Sequence, residues 1–296
     1  MAVQNQLAKS KQRLGISAYL TQDAVKNQIN NVIGGKDGQR FITSIVSAVT
    51  ANPALAECTN QSILSGALLG ESLKLSPSPQ LGQYYLVPYK NNKEGIIEAQ
   101  FQMGYKGYIQ LAIRSGQYKK INVLAIKEGE LEYFDPLNEE IKVNLMIDKW
   151  DEREKAKTIG YYAMFEYING FRKAIYWSKL QMENHALTYS PAYRAKKGHT
   201  FWEKNFDAMA YKTMLRQLIS KWGIMSIDMQ AAFDADMAVI NEDGSKDYVE
   251  TEDAIVVPSE EVTEKGEKAD KPLENPVEAA DKPVQEVTDA QATLFS

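Results

Sequence analysis

Between residues 99 and 127 the chain carries Lys106, Arg114, Lys119, Lys120 and Lys127 and not one carboxylate. That composition suits a polyanion, because each Lys or Arg can neutralise a phosphate and no nearby acid repels it. A helix starting at Tyr105 sets Lys106, Gln110 and Arg114 at i, i+4 and i+8, in one polar stripe. Gly104 and Gly107 leave no side chain beside Lys106, so a sugar-phosphate backbone could come close to the main chain there. Lys119 and Lys120 continue the charge beyond a turn at Ser115 and Gly116. A solvated helix face carries the same stripe, so the pattern alone selects no function.

A second basic cluster follows. Between residues 193 and 223, Arg194, Lys196, Lys197, Lys204, Lys212, Arg216 and Lys221 stand against only Glu203 and Asp207. Tyr193, Phe201, Trp202, Phe206, Tyr211 and Trp222 are interleaved with them. One helix over residues 201–222, closed by Gly223, would put Lys204, Lys212 and Arg216 on about a third of its circumference. Apolar neighbours make that helix largely buried, so its charges are expected to line a groove. Basic residues in a groove with aromatic faces are what a single nucleic-acid strand requires. Phe201 and Trp202, next to the basic loop, are the candidates for base stacking, whereas the other aromatics suit a core.

Catalytic patterns are sparse. No G-x-x-x-x-G-K-[ST] phosphate loop occurs, and GGKDG at residues 34–38 lacks its spacing and its Ser or Thr. His185 and His199 have no ligand-spaced partners. Cys58, the only cysteine, excludes an internal disulfide and reads as a small buried hydrophobe. Asp135, Glu140 and Lys142 resemble a metal-dependent nuclease set. They fall on one bend and strand, however, where charges also serve to discourage strand addition.

These residues need elements to hold them, and the charge is unevenly spread. Up to Ile240 there are 29 Lys and Arg against 23 Asp and Glu, and beyond it 5 against 16. The net charge of −5 therefore describes an acidic tail on a basic body. Residues 241–296 are rich in Glu and Pro, hold only Tyr248 and Phe295 as aromatics, and repeat ADKP at 269 and 280. Too little apolar surface is available there to offset ordering, which predicts a disordered tail. No run approaches the ~18 apolar residues of a membrane span.

The body predicts an α+β fold, a small antiparallel β-sheet with hairpins packed against long helices. Helices are expected over Asp23–Ile33 and residues 39–51, and over a third segment capped by Thr59 or Asn60. QYYLVPY and IIEAQFQM read as one hairpin, and residues 158–178 as a second, turning at Asn169 and Gly170 in a type I′ turn. A last helix is expected over residues 228–240. The organisation that follows is a flexible N-terminus at 1–20, a DNA-binding and oligomerisation core at 21–240, and a partner-binding tail at 241–296.

GYKGYIQLAIRSGQYKKI, then EGELEY, then FWEKNFDAMAYKTMLRQLISKWGIMS closely resemble the RecT family of phage and prophage recombinases. The likeness covers roughly residues 20–236. It implies a single-strand annealing protein, distantly similar to Red beta, that pairs complementary strands without ATP, without a cofactor and without bond chemistry. It implies assembly into rings or helical filaments on single-stranded DNA and on the annealed duplex intermediate. It also implies a partner 5′→3′ exonuclease, a host single-strand binding protein and a cytoplasmic setting away from any membrane. The expected DNA contacts are Tyr105, Lys106, Gln110, Arg114, Lys119, Lys120, Arg194, Lys196, Lys197, Phe201, Trp202, Lys204, Lys212 and Arg216. The tail is expected to compete weakly with DNA at low salt.

Overall fold

The computed structural model describes residues 14–198 and 200–248. Helices α1 (Ile16–Leu20), α2 (Asp23–Ile33) and α3 (Gly35–Ala51) come first. Gly34, at φ +89°, separates α2 from α3, so the break is confined to one residue rather than spread over GGKDG. Helix α1 lies inside the stretch expected to be flexible, and Leu20 is fully buried in the core. In α4 (Asn60–Ser72) the Thr59 hydroxyl caps the helix by accepting the Ser62 N–H. Ser62, Ile63, Leu64, Gly66, Ala67 and Gly70 of α4 are all buried.

Strands β1 (Tyr84–Asn91) and β2 (Ile96–Met103) form the first hairpin, in full antiparallel register. A Cβ at Gly66 or Gly70 of α4 would overlap Leu86 or Tyr84, so both glycines let β1 lie directly on this helix. Helix α5 (Tyr105–Arg114) leads to β3 (Tyr118–Lys127), then the hairpin of β4 (Leu131–Asp135) and β5 (Glu140–Val143), then α6 (Trp150–Lys155). Strands β6 (Thr158–Tyr167) and β7 (Arg172–Ser178) join β3 in a three-stranded antiparallel sheet ordered β3-β6-β7. Tyr161, Ala163, Phe165 and Tyr167 alternate along β6 and are all buried in the core.

The last part comprises α7 (Lys179–Tyr189), α8 (Pro191–Arg194), α9 (Phe201–Lys204), α10 (Phe206–Trp222), α11 (Ile227–Ala235), β8 (Ala238–Ile240) and β9 (Lys246–Tyr248). Strands β8 and β9 extend the first hairpin into a sheet ordered β1-β2-β8-β9. The α+β class with small antiparallel sheets against helices is as the alternating patterns indicate. Among the described residues no helix is long and apolar enough to cross a membrane.

Three local expectations are corrected. The helix over 201–222 is two helices, because the Asn205 side chain accepts the Ala208 N–H and starts a new one. The last helix stops at Ala235; Met237 adopts φ +73° and the chain enters β8. The β6–β7 turn is not type I′, since Asn169 keeps a negative φ and only Gly170 is positive at +88°. Tyr167 N–H donates to the Phe171 carbonyl, giving a three-residue connection with glycine last. The described fold also runs eight residues past Ile240, through β9. The acidic tail from residue 249 on, and its expected disorder and competition with DNA, lie outside the described residues.

Candidate nucleic-acid interface

Helix α5 starts at Tyr105 as its spacing indicates, with Lys106 and Gln110 exposed. Its glycines have another purpose than close approach of a ligand. A Cβ at Gly104 would overlap the Gly82 carbonyl, and one at Gly107 the Gln83 carbonyl. The two glycines therefore admit the backbone leading into β1, and the Gly104 N–H donates to the Gln83 carbonyl at 2.9 Å. Tyr105 turns inward, half-buried, with its ring edge-on to Tyr211 at 5.5 Å.

Arg114 is exposed, but its guanidinium is already engaged. It donates to the Leu73 and Lys74 carbonyls at 2.6 and 3.2 Å, covering the C-terminal end of α4, where a cation also meets the helix dipole. Lys119 and Lys120 lie 2.6 and 3.8 Å from the Glu166 carboxylate. That hydrogen-bonded lysine, ahead of burial, holds Glu166 below the usual carboxylate range.

The second cluster divides more sharply. Lys212 is only 8% exposed and Trp202 only 7%. Trp202 packs against Phe206 at 5.0 Å and Tyr193 at 6.2 Å, so no face is open for a base, and the stacking expectation for it is corrected. Lys212 and Arg216 do not line an open groove either. The Asp236 carboxylate, buried between β2 and α10, accepts from Lys212 Nζ at 2.8 Å and Arg216 at 2.6 Å. It also accepts from the Tyr108 hydroxyl and the Met103 N–H, both at 2.9 Å. Burial, then Asp236, pushes the Tyr108 hydroxyl well above its ordinary pKa, which keeps it a neutral donor. Two cations and one anion thus tie α5, α10, β2 and the α11–β8 link together. A buried charge is tolerated only with such pairing.

Arg194, Lys196, Lys197 and Lys204 remain at the surface. Arg194 donates to the Leu187 carbonyl at the end of α7, and Lys196 sits at φ +51° in the turn after α8. The break at Asn205 places Lys204 on α9, off the helix that carries Lys212 and Arg216. Among the described residues Lys106, Lys196 and Lys204 have no carboxylate within ion-pair distance.

Tyr85 brings the two clusters together, and neither pattern singled it out. A Cβ at Gly82 would lie 3.0 Å from the Tyr85 hydroxyl and 3.4 Å from Lys106 Cδ, so the phenol and the lysine stem share one small site. The Tyr85 ring also lies 6.2 Å from the Phe201 ring, tilted by 38°. Lys106 of α5, Tyr85 of β1 and Phe201 of α9 therefore form one continuous surface, with Lys204 three residues on. The concavity between Tyr85, Phe201, Pro77 and Pro79 measures about 40 Å³, far below the ~300 Å³ of a small-molecule pocket. Its lining is apolar and aromatic, and Lys106 stands beside it against Tyr85.

Two of the three residues of the nuclease set are engaged by close neighbours. Asp135 accepts from the Leu137 N–H and the Asn138 side chain at 2.8 and 2.6 Å, closing the β4–β5 turn, and Lys142 pairs with Glu132 at 2.6 Å. Among the described residues no group of three His, Cys, Asp or Glu is placed to hold a metal. The EGELEY segment contains a residue the sequence reading passed over. Glu130 is fully buried and accepts from Arg153 Nε at 2.6 Å and from the Lys127 and Met146 amides at 2.7 and 3.1 Å. It anchors α6 to the end of β3.

A sequence model of the RecT family matches residues 39–273. The chain is 38% identical over 247 residues to a Bacillus subtilis (strain 168) protein described as "Uncharacterized protein YqaK", covering 83% of this chain and 78% of that one. It is 28% identical over 225 residues to "Protein RecT" of Escherichia coli (strain K12), covering 75% of this chain and 80% of that one.

Proposed function

The chain belongs to the RecT family, and from that premise we propose that it is an ATP-independent single-stranded-DNA-binding and annealing protein of homologous recombination. One observation supports the reading most: Tyr85 lies beside Lys106 of the first basic cluster and beside Phe201 of the second. Lys106, Lys196, Lys197 and Lys204 would hold phosphates, which fixes a strand without reading its sequence. Tyr85 and Phe201 would offer ring faces to bases.

An annealing protein must neutralise two strands while leaving Watson–Crick edges free. Lysines aimed at phosphates meet that requirement, and base pairing itself then drives the reaction. No bond forms or breaks, so the proposed activity needs no nucleophile, metal or cofactor. Further parts of the reading are self-association on DNA, work in a bacterial cytoplasm of phage or prophage context, and cooperation with an exonuclease and a host single-strand binding protein.

The test is incubation with labelled complementary oligonucleotides in the absence of ATP and divalent metal. Accelerated duplex formation is expected. Protection of single strands without pairing would reduce the protein to a coating module, and strand degradation would make it a nuclease.

A further inference from the structure

The three-stranded sheet has unlike surfaces at its two edges. At the β3 edge, an open cleft of about 420 Å³ lies between α5 and the strand. Ile109, Ile113, Ile121 and Met164 line it, and Lys119 and Lys120 stand with them. Ile113, a large aliphatic side chain, is 56% exposed. Beside the β7 edge, the β4–β5 hairpin is held by Phe134 against the Tyr176 ring at 5.0 Å and by the Glu139–Lys173 ion pair. Its turn presents Leu137, 87% exposed, between Asp135 and the pair Glu139 and Glu140.

The segment around that turn is as acidic as the preceding one is basic. Residues 128–154 hold ten Asp and Glu against three Lys and Arg, directly after the acid-free run of residues 99–127. A single exposed leucine is ordinary, but one set in an acidic turn matches an aliphatic cleft bordered by lysines.

We infer that the β4–β5 hairpin of one copy docks, Leu137 first, into the α5–β3 cleft of a second copy. This names the contact for the self-association proposed above and rests on that reading. A nucleic-acid strand fits the cleft poorly. Lys119 and Lys120 lie beside the Glu166 carboxylate, and two lysines over one glutamate leave the border net positive for an acidic turn. The aliphatic floor offers no ring for stacking: Tyr118 is 9% exposed and its hydroxyl donates to the Ile224 carbonyl. Because plug and cleft differ and lie at opposite edges of one sheet, the contact is head-to-tail. Head-to-tail contacts propagate into open arrays or close into rings rather than stopping at a dimer.

Two exposed positions test this in the full chain, Leu137→Asp in the plug and Ile113→Asp in the cleft. By sedimentation velocity each variant alone should stay monomeric at concentrations where the parent assembles. An equal mixture should form dimers and nothing larger, since one intact plug meets one intact cleft. Assembly of either variant alone to the parent's size would overturn the contact, and so would a mixture that stays monomeric. A full chain carrying Leu137→Cys and Ile113→Cys provides a second readout, because Cys58 is fully buried. It should give a ladder of disulfide-linked oligomers under mild oxidation, and the absence of any ladder would count against the docking. Anisotropy on an oligonucleotide long enough for one protomer is measured in parallel. Unchanged affinity of Ile113→Asp is expected; a tenfold loss with assembly intact would give the cleft to DNA instead. Failure of the parent itself to bind or anneal strands would sink the functional reading independently of these outcomes.

Discussion

The Arg216 guanidinium donates to the Asp236 carboxylate at 2.6 Å in a site where Asp236 is only 3% exposed. Lys212 approaches the same carboxylate at 2.8 Å. Removing the anion leaves two cations and the Tyr108 hydroxyl facing one another without compensation. Asp236→Ala is therefore expected to cost about 3–5 kcal/mol of folding stability, the range for breaking a buried pair from one side. Urea denaturation measures it. A loss below about 1 kcal/mol would mean that the carboxylate is dispensable and that the cations have other partners.

Lys212 and Arg216 show where sequence reasoning reaches its limit. Their types and spacing on α10 are legible, and so is the helix. Their partner, Asp236, lies one helix later, between α11 and β8, and meets them only in the tertiary fold. Hairpins were legible because alternation along β6 and β7 has to match a half-buried sheet. The break at Asn205 was not, because an asparagine inside an amphipathic pattern looks like any polar position until its side chain is seen to cap Ala208. Gly104 and Gly107 were visible as glycines, but whether they admit a phosphate or another segment's carbonyl depends on where residues 82 and 83 pass. Tyr85 had no local signal at all; its role comes from lying between α5 and α9 in space.

Glu130 makes acid sensitivity predictable. Burial alone would raise its carboxyl, but the Lys127 and Met146 amides and Arg153 outweigh burial, and the net direction is down. The folded protein thus takes up this proton less readily than the unfolded chain does. Stability from the group is complete above the unfolded value of about 4.3 and is lost as pH falls through the folded one. Thermal unfolding of the parent and of Glu130→Gln should differ most near neutral pH and converge as pH falls below the folded value. A gap that stays constant over that range would assign the acid response elsewhere.

Gly107 has no room for a methyl group, because a Cβ would meet the Gln83 carbonyl and the Met103 side chain. Backbone cannot yield as a side-chain end can. Gly107→Ala should cost at least the 1–3 kcal/mol typical of overpacking and shift the thermal midpoint down accordingly. Gly116→Ala serves as the contrast, since nothing lies near its Cβ and only its φ of +69° opposes the change. A loss at Gly107 no larger than that at Gly116 would show that the backbone of residues 82 and 83 yields to the added methyl group.

Arg114 and Lys106 lie on one stripe of α5 yet should behave differently. Arg114→Ala removes two hydrogen bonds to the end of α4, and a stability loss of about 1 kcal/mol is expected with little change in DNA affinity per folded molecule. Lys106→Ala combined with Lys204→Ala should leave stability nearly unchanged, because both side chains are exposed and have no carboxylate partner among the described residues. It should instead weaken binding of a short single strand. If each lysine holds one phosphate, log affinity against log salt becomes shallower by about 1.4, since each contact on a single strand contributes about 0.7. Anisotropy titrations between 50 and 300 mM salt, about the range where the slope is linear, provide the comparison. The salt series distinguishes lost phosphate contacts from a general weakening, which would lower affinity equally at every salt concentration. A parallel line for the double variant would remove Lys106 and Lys204 from the DNA path. A shallower line for Arg114→Ala would place that arginine back in it.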